Sequence, residues 1–138
     1  MYYNDKKVNI IIGIDEAGRG PLAGPLVVAG VSLRSLKRMQ NFFRGIRDSK
    51  QLSEKKREEW YVKITNHPEL RWATARIAPK VIDTINIAKA AHLGARRVFY
   101  KLAGGEGENA YVLLDGSLHL PDDIAQETII RGDEKVPL

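Results

Sequence analysis

The stretch VNIIIGIDEAGRGPLAGP, residues 8–25, decides the fold of this chain. Residues 8–14 are rich in β-branched side chains and are bounded by turn-forming residues, which predicts a β-strand. Asp15 and Glu16 follow this strand directly. Two adjacent acids at the end of an isoleucine-rich strand repel each other and lower the stability of the fold. Their presence there therefore indicates a function. They are therefore the first candidate site residues.

Further strands are predicted on the C-terminal side of this stretch. Four runs of apolar or loosely alternating residues have this character, at 26–33, 71–77, 111–114 and 127–130. With residues 8–14 they make five strands. The composition of 103–109, with its three glycines, predicts a loop before the fourth strand.

The helices are predicted from their ends and from their apolar spacing. Ser53 is a suitable N-cap, and the helix that it begins extends to about Thr65, ahead of a His-Pro pair. Pro79 suits the first turn of another helix. Apolar residues at three- and four-residue spacings from Ile82 to Leu102 indicate one apolar helical face. Residues 34–48 receive no assignment. The order of elements predicts an α/β chain with early hairpin-like pairing and later crossover connections.

Composition and charge limit the class of protein. The chain has 138 residues, 43% of them hydrophobic and 28% charged, which is typical of one globular domain. It contains no cysteine, so a disulfide framework, a thiol nucleophile and a cysteine metal site are excluded. The net charge is +5, and residues 34–63, the basic segment, carry 10 basic and 4 acidic side chains. This segment favours either a polyanionic partner or a solvated surface.

Acidic residues end three of the predicted strands: Asp15 with Glu16, Asp115 and Asp133. Ligand sites in α/β sheets lie at the carboxyl ends of strands, so these four carboxylates converge if the strands are neighbours. Oxygen ligands alone suit Mg²⁺ or Mn²⁺, and two such ions can activate a water and stabilise a leaving oxygen in phosphodiester hydrolysis. The alternative is that Asp-Gly and Gly-Asp pairs are ordinary turns.

The glycine-rich residues 13–20 do not form a nucleotide-binding loop. Arg19 stands where a phosphate loop requires lysine, no Ser or Thr follows it, and Asp15 and Glu16 would repel phosphate. The spacing of Gly18, Gly20 and Gly24 also differs from the dinucleotide pattern. A tight turn at 18–20 remains, and its small side chains allow backbone groups to approach a ligand closely.

Four motifs in order along the chain resemble those of type 2 ribonuclease H, or ribonuclease HII: GIDEAGRGP at 13–21, DSK at 48–50, LDG at 114–116 and RGD at 131–133. Arg131 replaces a lysine that is common in the family. The resemblance implies an RNase H-like mixed five-stranded sheet flanked by helices. It also implies a metal-dependent endoribonuclease that hydrolyses the RNA strand of RNA–DNA hybrids and nicks duplex DNA at embedded ribonucleotides, leaving a 5′-phosphate and a 3′-hydroxyl.

The resemblance also assigns roles to particular residues. It implies two Mg²⁺ or Mn²⁺ ions bound by the four carboxylates, Asp15, Glu16, Asp115 and Asp133. It further implies substrate contacts by Gly18, Arg19 and Gly20 at the ribose 2′-hydroxyl and by Lys50 near the scissile phosphate.

Members of this family continue beyond the length of this chain. We therefore expect residues 1–138 to be an RNase H-like catalytic domain that is incomplete at its C-terminus and lacks the family's C-terminal helices. We expect a monomeric cytoplasmic protein with no membrane association. The alternative function is a truncated, non-catalytic module that binds hybrid or duplex through the basic segment and the turn at 18–20.

Overall fold

The structure is a computed structural model that describes residues 2–3, 6–17, 24–43, 53–104, 109–116 and 118–129. The strands within these ranges are β1 Tyr2–Tyr3, β2 Lys6–Lys7, β3 Ile10–Ala17, β4 Leu26–Leu33, β5 Arg71–Ile77, β6 Ala110–Asp115 and β7 Gln126–Ile129. The helices there are α1 Leu36–Phe43, α2 Glu54–Thr65, α3 Pro79–Ile85 and α4 Ile87–Ala103.

A mixed five-stranded sheet forms the centre of the fold, in the order β5-β4-β3-β6-β7. The pairs β3–β4 and β4–β5 are antiparallel, whereas β3–β6 and β6–β7 are parallel. The predicted fold class is therefore confirmed. The parallel pairing places the C-terminal ends of β3, β6 and β7 at one edge of the sheet, where the acidic residues were expected.

The sheet buries apolar side chains on both faces. On one face, α4 covers alternate residues of the strands, including Ile12, Val28 and Val112, each 0% exposed. The other face carries a smaller cluster in which Ile11 and Leu33 lie with Met39 of α1 and the partly buried Ile64 of α2. This two-sided burial explains why β3 is a nearly continuous apolar run.

The helical region after β5 is divided, although its apolar spacing suggested one face. Asn86 lies between α3 and α4 with a φ of 72°, and its side chain accepts a hydrogen bond from the Lys89 amide. A positive φ is uncommon for a residue other than glycine, and here it accompanies the capping of α4 by the Asn86 side chain. Ala88, which the spacing placed on the apolar face, is exposed, and the buried face of α4 begins at Ala90.

One helix occupies part of the segment that the sequence left unassigned. The hydroxyl of Ser35 accepts a hydrogen bond from the Arg38 amide at 3.2 Å and thereby caps α1. Met39 and Phe42 of α1 then pack into the smaller cluster. The many basic side chains made the apolar spacing of this short amphipathic helix hard to recognise. The N-cap serine was the sequence signal that could have predicted it.

Candidate active site

Asp15 and Asp115 lie side by side at the C-terminal edge of the sheet. The parallel register pairs Ile14 of β3 with Leu114 of β6, so the next residues on the two strands are neighbours as well. Alternation along a strand puts both carboxyl groups on the same face of the sheet. The two side chains form a hydrogen bond with each other.

This proximity changes the acidity of Asp15. Burial of the carboxyl, the negative charge of Asp115 and the hydrogen bond to Asp115 together raise the pKa of Asp15 from 3.8 to about 6. The Glu16 amide donates to Asp15 Oδ1 at 2.7 Å and opposes this rise. As a residue Asp15 is exposed to solvent, so its carboxyl is only partly buried. Asp15 therefore takes up a proton in weakly acidic solution, and a positive charge nearby would favour its ionised form.

Glu16 follows Asp15 at the end of β3, and its negative charge also raises the pKa of Asp15. The residue is partly buried and is not isolated from its surroundings. Its Oε2 atom is buried and accepts no hydrogen bond from the part of the chain that the structure describes. A role for Glu16 beside the Asp15–Asp115 pair therefore stays a prediction.

The chemistry of the Asp15–Asp115 pair fits a divalent metal ion. Carboxylate oxygens are the ligands that Mg²⁺ and Mn²⁺ prefer, and a cation between two aspartates removes their mutual repulsion. Within the described ranges, no group of three or more His, Asp or Glu side chains is arranged to hold a metal ion. The structure thus brings together two of the four predicted carboxylates.

The remaining predicted site residues are not among those that the structure describes. Asp133, Lys50, Gly18, Arg19 and Gly20 lie outside the described residues. β7, which precedes Asp133, is parallel to β6 and ends with Ile129 paired to Asp115. The direction of β7 is therefore the one that the convergence of Asp133 with Asp115 requires, and the position of Asp133 stays a prediction.

A positioning residue that the sequence analysis missed is Gln126, at the start of β7. Its side-chain oxygen accepts from the Leu120 amide at 2.9 Å, and its nitrogen donates to the carbonyls of Leu120, Pro121 and Ile124 at 3.0 to 3.1 Å. These bonds fix the connection that follows Asp115 and leads into β7. A single glutamine in a polar loop gives no sequence signal for such a role.

The described part of the basic segment lies mainly on α1 and α2. Lys37, Arg38, Lys55, Lys56 and Lys63 are all exposed. Arg38 forms an ion pair with Glu69, and the Lys63 ammonium lies 4.9 Å from the centre of the Trp60 ring. The segment therefore presents a solvated basic surface. None of the helices in the described ranges is both long and apolar enough to cross a membrane.

The chain is similar in sequence to proteins of one family. The family described as Ribonuclease HII matches residues 12–136. The chain is 43% identical over 128 residues to the Ribonuclease HII of Francisella philomiragia subsp. philomiragia, covering 92% of this chain and 64% of that protein. Identity to the Ribonuclease HII of Francisella tularensis subsp. novicida is 42% over the same length. The chain thus spans just under two thirds of the length of the curated relatives it matches.

The fold agrees with this similarity. The structure of the PCNA:RNase HII complex from Archaeoglobus fulgidus contains a chain that matches this one with a TM-score of 0.73 and 26% identity. The match covers 94% of this chain and 66% of the other. The sheet and its flanking helices therefore form an arrangement that this solved structure shares.

Proposed function

This chain belongs to the ribonuclease HII family, and we propose that it hydrolyses the RNA strand of RNA–DNA hybrids as a metal-dependent endoribonuclease. The observation that carries the proposal is the Asp15–Asp115 pair on adjacent parallel strands. A hydrogen-bonded pair of acids at the ligand-binding edge of an α/β sheet is costly, and a bound cation offsets this cost.

The proposed metal centre is held by Asp15 and Asp115, with Glu16 and Asp133 completing the carboxylate set. Mg²⁺ or Mn²⁺ bound there would supply an activated water and stabilise the leaving 3′-oxygen. Asp15 and Asp115 would provide ionised carboxylate oxygens to the metal ions on one face of the sheet. The short hydrogen bond from the Glu16 backbone amide to Asp15 Oδ1 favours the ionised form of Asp15 and fixes the orientation of its carboxyl group.

The proposed substrate contacts lie in the turn after β3 and in the basic segment. Gly18, Arg19 and Gly20 would contact the ribose 2′-hydroxyl, the group by which a protein distinguishes RNA from DNA. Lys50 would lie near the scissile phosphate. The motif order of the family supports both roles: residues 18–20 come directly after the strand that carries Asp15, and Lys50 belongs to the next motif along the chain.

The finer form of the proposal concerns the substrate and its products. We expect the protein to nick duplex DNA on the 5′ side of a single embedded ribonucleotide, leaving a 5′-phosphate and a 3′-hydroxyl. We place this activity in the cytoplasm, with residues 1–138 forming an RNase H-like catalytic domain.

A nicking assay tests the proposal. The substrate is labelled duplex DNA with one ribonucleotide, incubated with Mg²⁺ or Mn²⁺ and, separately, with chelator. We expect a metal-dependent nick at the ribonucleotide. Asp15→Asn should reduce the rate by at least ~10³-fold, because the variant loses a charged metal ligand, while binding of the duplex is retained.

The matched control is Asp83→Asn, which makes the same chemical change at an exposed position on α3. It should cut at the wild-type rate. Turnover by Asp15→Asn equal to that of Asp83→Asn would contradict the assignment of Asp15. Duplex binding without cleavage by the wild-type chain, with both metals supplied, would instead support the non-catalytic binding module.

A further inference from the structure

The chain returns from the end of β6 to the start of β7 through an irregular segment. Parallel strands are usually joined by a crossover of a dozen or more residues that contains a helix. Here the β6–β7 connection is residues 116–125, and residues 118–125 contain neither helix nor strand. Leu118, Leu120 and Ile124 are nevertheless buried in the core. The backbone N–H and C=O groups of such a segment need hydrogen-bond partners from outside regular structure.

Gln126 supplies several of these partners. Its side-chain oxygen accepts from the Leu120 amide, and its side-chain nitrogen donates to the carbonyls of Leu120, Pro121 and Ile124. The nitrogen has two hydrogens for three carbonyls, so one hydrogen is shared between two acceptors. One side chain therefore satisfies backbone groups that a crossover helix would satisfy internally, and it ties the connection to the first residue of β7.

These hydrogen bonds act at the position where β7 begins to pair with β6. Gln126 pairs with Val112, and three residues later Ile129 pairs with Asp115. β7 has four residues, and β6 is its neighbour at the end of the described sheet. So short a parallel pair specifies its register weakly, and a slip of one residue turns every side chain of β7 to the other face. A fixed start of β7 therefore fixes which residue lies beside Asp115.

We propose that Gln126 is a positioning residue of the metal centre, because it sets the register of β7 on β6 and thereby the arrangement of the carboxylates that follow these strands. The inference deepens the proposed function and rests on it, since Asp115 is a proposed metal ligand and Asp133 follows β7 in sequence. Gln126 lies three residue pairs from Asp115, which is about 10 Å along a strand. Its effect on the metal centre therefore passes through the backbone of β7.

Binding of Mn²⁺ alone, followed by electron paramagnetic resonance on the full chain without substrate, tests the proposal. The variant is Gln126→Glu, which keeps the size of the side chain but replaces the donor group by an acceptor that faces three carbonyls. We expect it to weaken Mn²⁺ binding about tenfold or more, the effect typical of removing groups that support metal ligands. An added negative charge by itself attracts the cation, so electrostatics alone predicts the opposite sign.

The matched control is Tyr111→Phe. It removes the hydrogen bond that the Tyr111 hydroxyl donates to Glu127 at 2.8 Å, between the same two strands, and leaves the β6–β7 connection unchanged. This variant should bind Mn²⁺ as the wild type does, because the register of β7 is still fixed at Gln126. Thermal melting in chelator shows at which temperatures each variant is folded. If Gln126→Glu does not fold, Gln126→Met removes the same hydrogen bonds without adding a charge.

Asp115→Asn distinguishes failure of this inference from failure of the proposed function, since it should bind Mn²⁺ much more weakly than the wild type. If it does so and Gln126→Glu binds Mn²⁺ as tightly as Tyr111→Phe, the metal centre stands and the positioning role of Gln126 is overturned. If the wild type binds no Mn²⁺, or Asp115→Asn binds it equally well, the proposed metal centre is wrong and the role of Gln126 is overturned with it.

Discussion

At the scale of single residues, the main feature is the electrostatic cost of the Asp15–Asp115 pair. Asp15 is an exposed residue, yet partial burial of its carboxyl and the neighbouring Asp115 raise its pKa to about 6. A carboxyl with a raised pKa in the folded state is less stable when ionised there than in the unfolded chain. The site therefore opposes folding at neutral pH unless a cation is bound.

This cost predicts a pH dependence of stability. Between pH 3.8 and about 6 the folded state holds more protons at Asp15 than the unfolded chain does, so the free energy of unfolding falls as pH rises through this range. In chelator, Asp15→Asn should be as stable as the wild type below pH 4. Above pH 6 the free energy of unfolding of the variant should be higher by about 1 kcal/mol, a value already reduced for solvent screening of the exposed carboxyl.

Thermal melting of both proteins from pH 3 to pH 8 measures this difference. Asp83→Asn on the exposed surface of α3 should show no comparable gain. Equal or lower stability of Asp15→Asn at neutral pH in chelator would refute the electrostatic account of the pair.

At the scale of elements, the main feature is the close packing of α4 against β4 of the sheet. Gly94 of α4 lies against Val28 of β4, and a Cβ atom added at Gly94 would come within 2.5 Å of Val28 Cγ2 and 3.1 Å of Val28 Cβ. Gly30 of β4 has the same relation to Val98 of α4. Small residues on both elements therefore allow the helix to approach the central strands.

We expect Gly94→Ala to lower the free energy of unfolding by about 1–3 kcal/mol, because α4 must move away from β4. Alanine favours a helix over glycine by about 1 kcal/mol, so a purely local effect would have the opposite sign. Urea denaturation measures the change.

Gly24→Ala is the control, because a Cβ atom at that exposed glycine would meet no atom within 4 Å. In a double-mutant cycle, Val28→Ala should make Gly94→Ala less costly, since it removes the methyl group that the new Cβ would meet. A stabilising effect of Gly94→Ala alone would show that α4 packs less tightly than the structure indicates.

At the scale of the whole molecule, charge is distributed unevenly around the fold. The active-site edge carries Asp15 and Asp115, whereas α1 and α2 carry exposed basic residues. A nucleic acid is attracted to the basic surface through release of its counterions, and this attraction weakens as salt is added. We propose that the basic surface attracts the nucleic acid, whereas Asp15 and Asp115 hold the metal ions.

We expect the affinity for an all-DNA duplex, measured by fluorescence anisotropy in chelator, to fall with increasing salt. Replacing both Lys55 and Lys56 of α2 by glutamine should reduce the slope of log affinity against log salt by about 1 to 2. Replacing Lys80 and Lys89, which are exposed on α3 and α4, makes the same charge change outside the basic segment. An equal reduction in the two double variants would show that binding follows net charge rather than the basic segment.

The sequence by itself determined the strands, most of the helices and the first candidate residues. The β-branched run before Asp15, the N-cap at Ser53 and the proline at position 79 are local signals, and the structure places α2 and α3 where they indicate. The predicted strand at 8–14 is β3, which runs from Ile10 to Ala17 and so includes Asp15 and Glu16. The ordered motifs around Asp15 and Asp115 also predicted the family. Such features are readable because backbone preference and capping depend on neighbours in sequence.

Only the tertiary structure decided which of these residues meet. The register of β3 against β6 put Asp15 beside Asp115 and raised its pKa. The close packing of Gly94 on α4 against Val28 on β4 likewise depends on contact between distant segments. Hydrogen bonding, burial and charge coupling act through space, so the spacing of residues along the chain does not specify them.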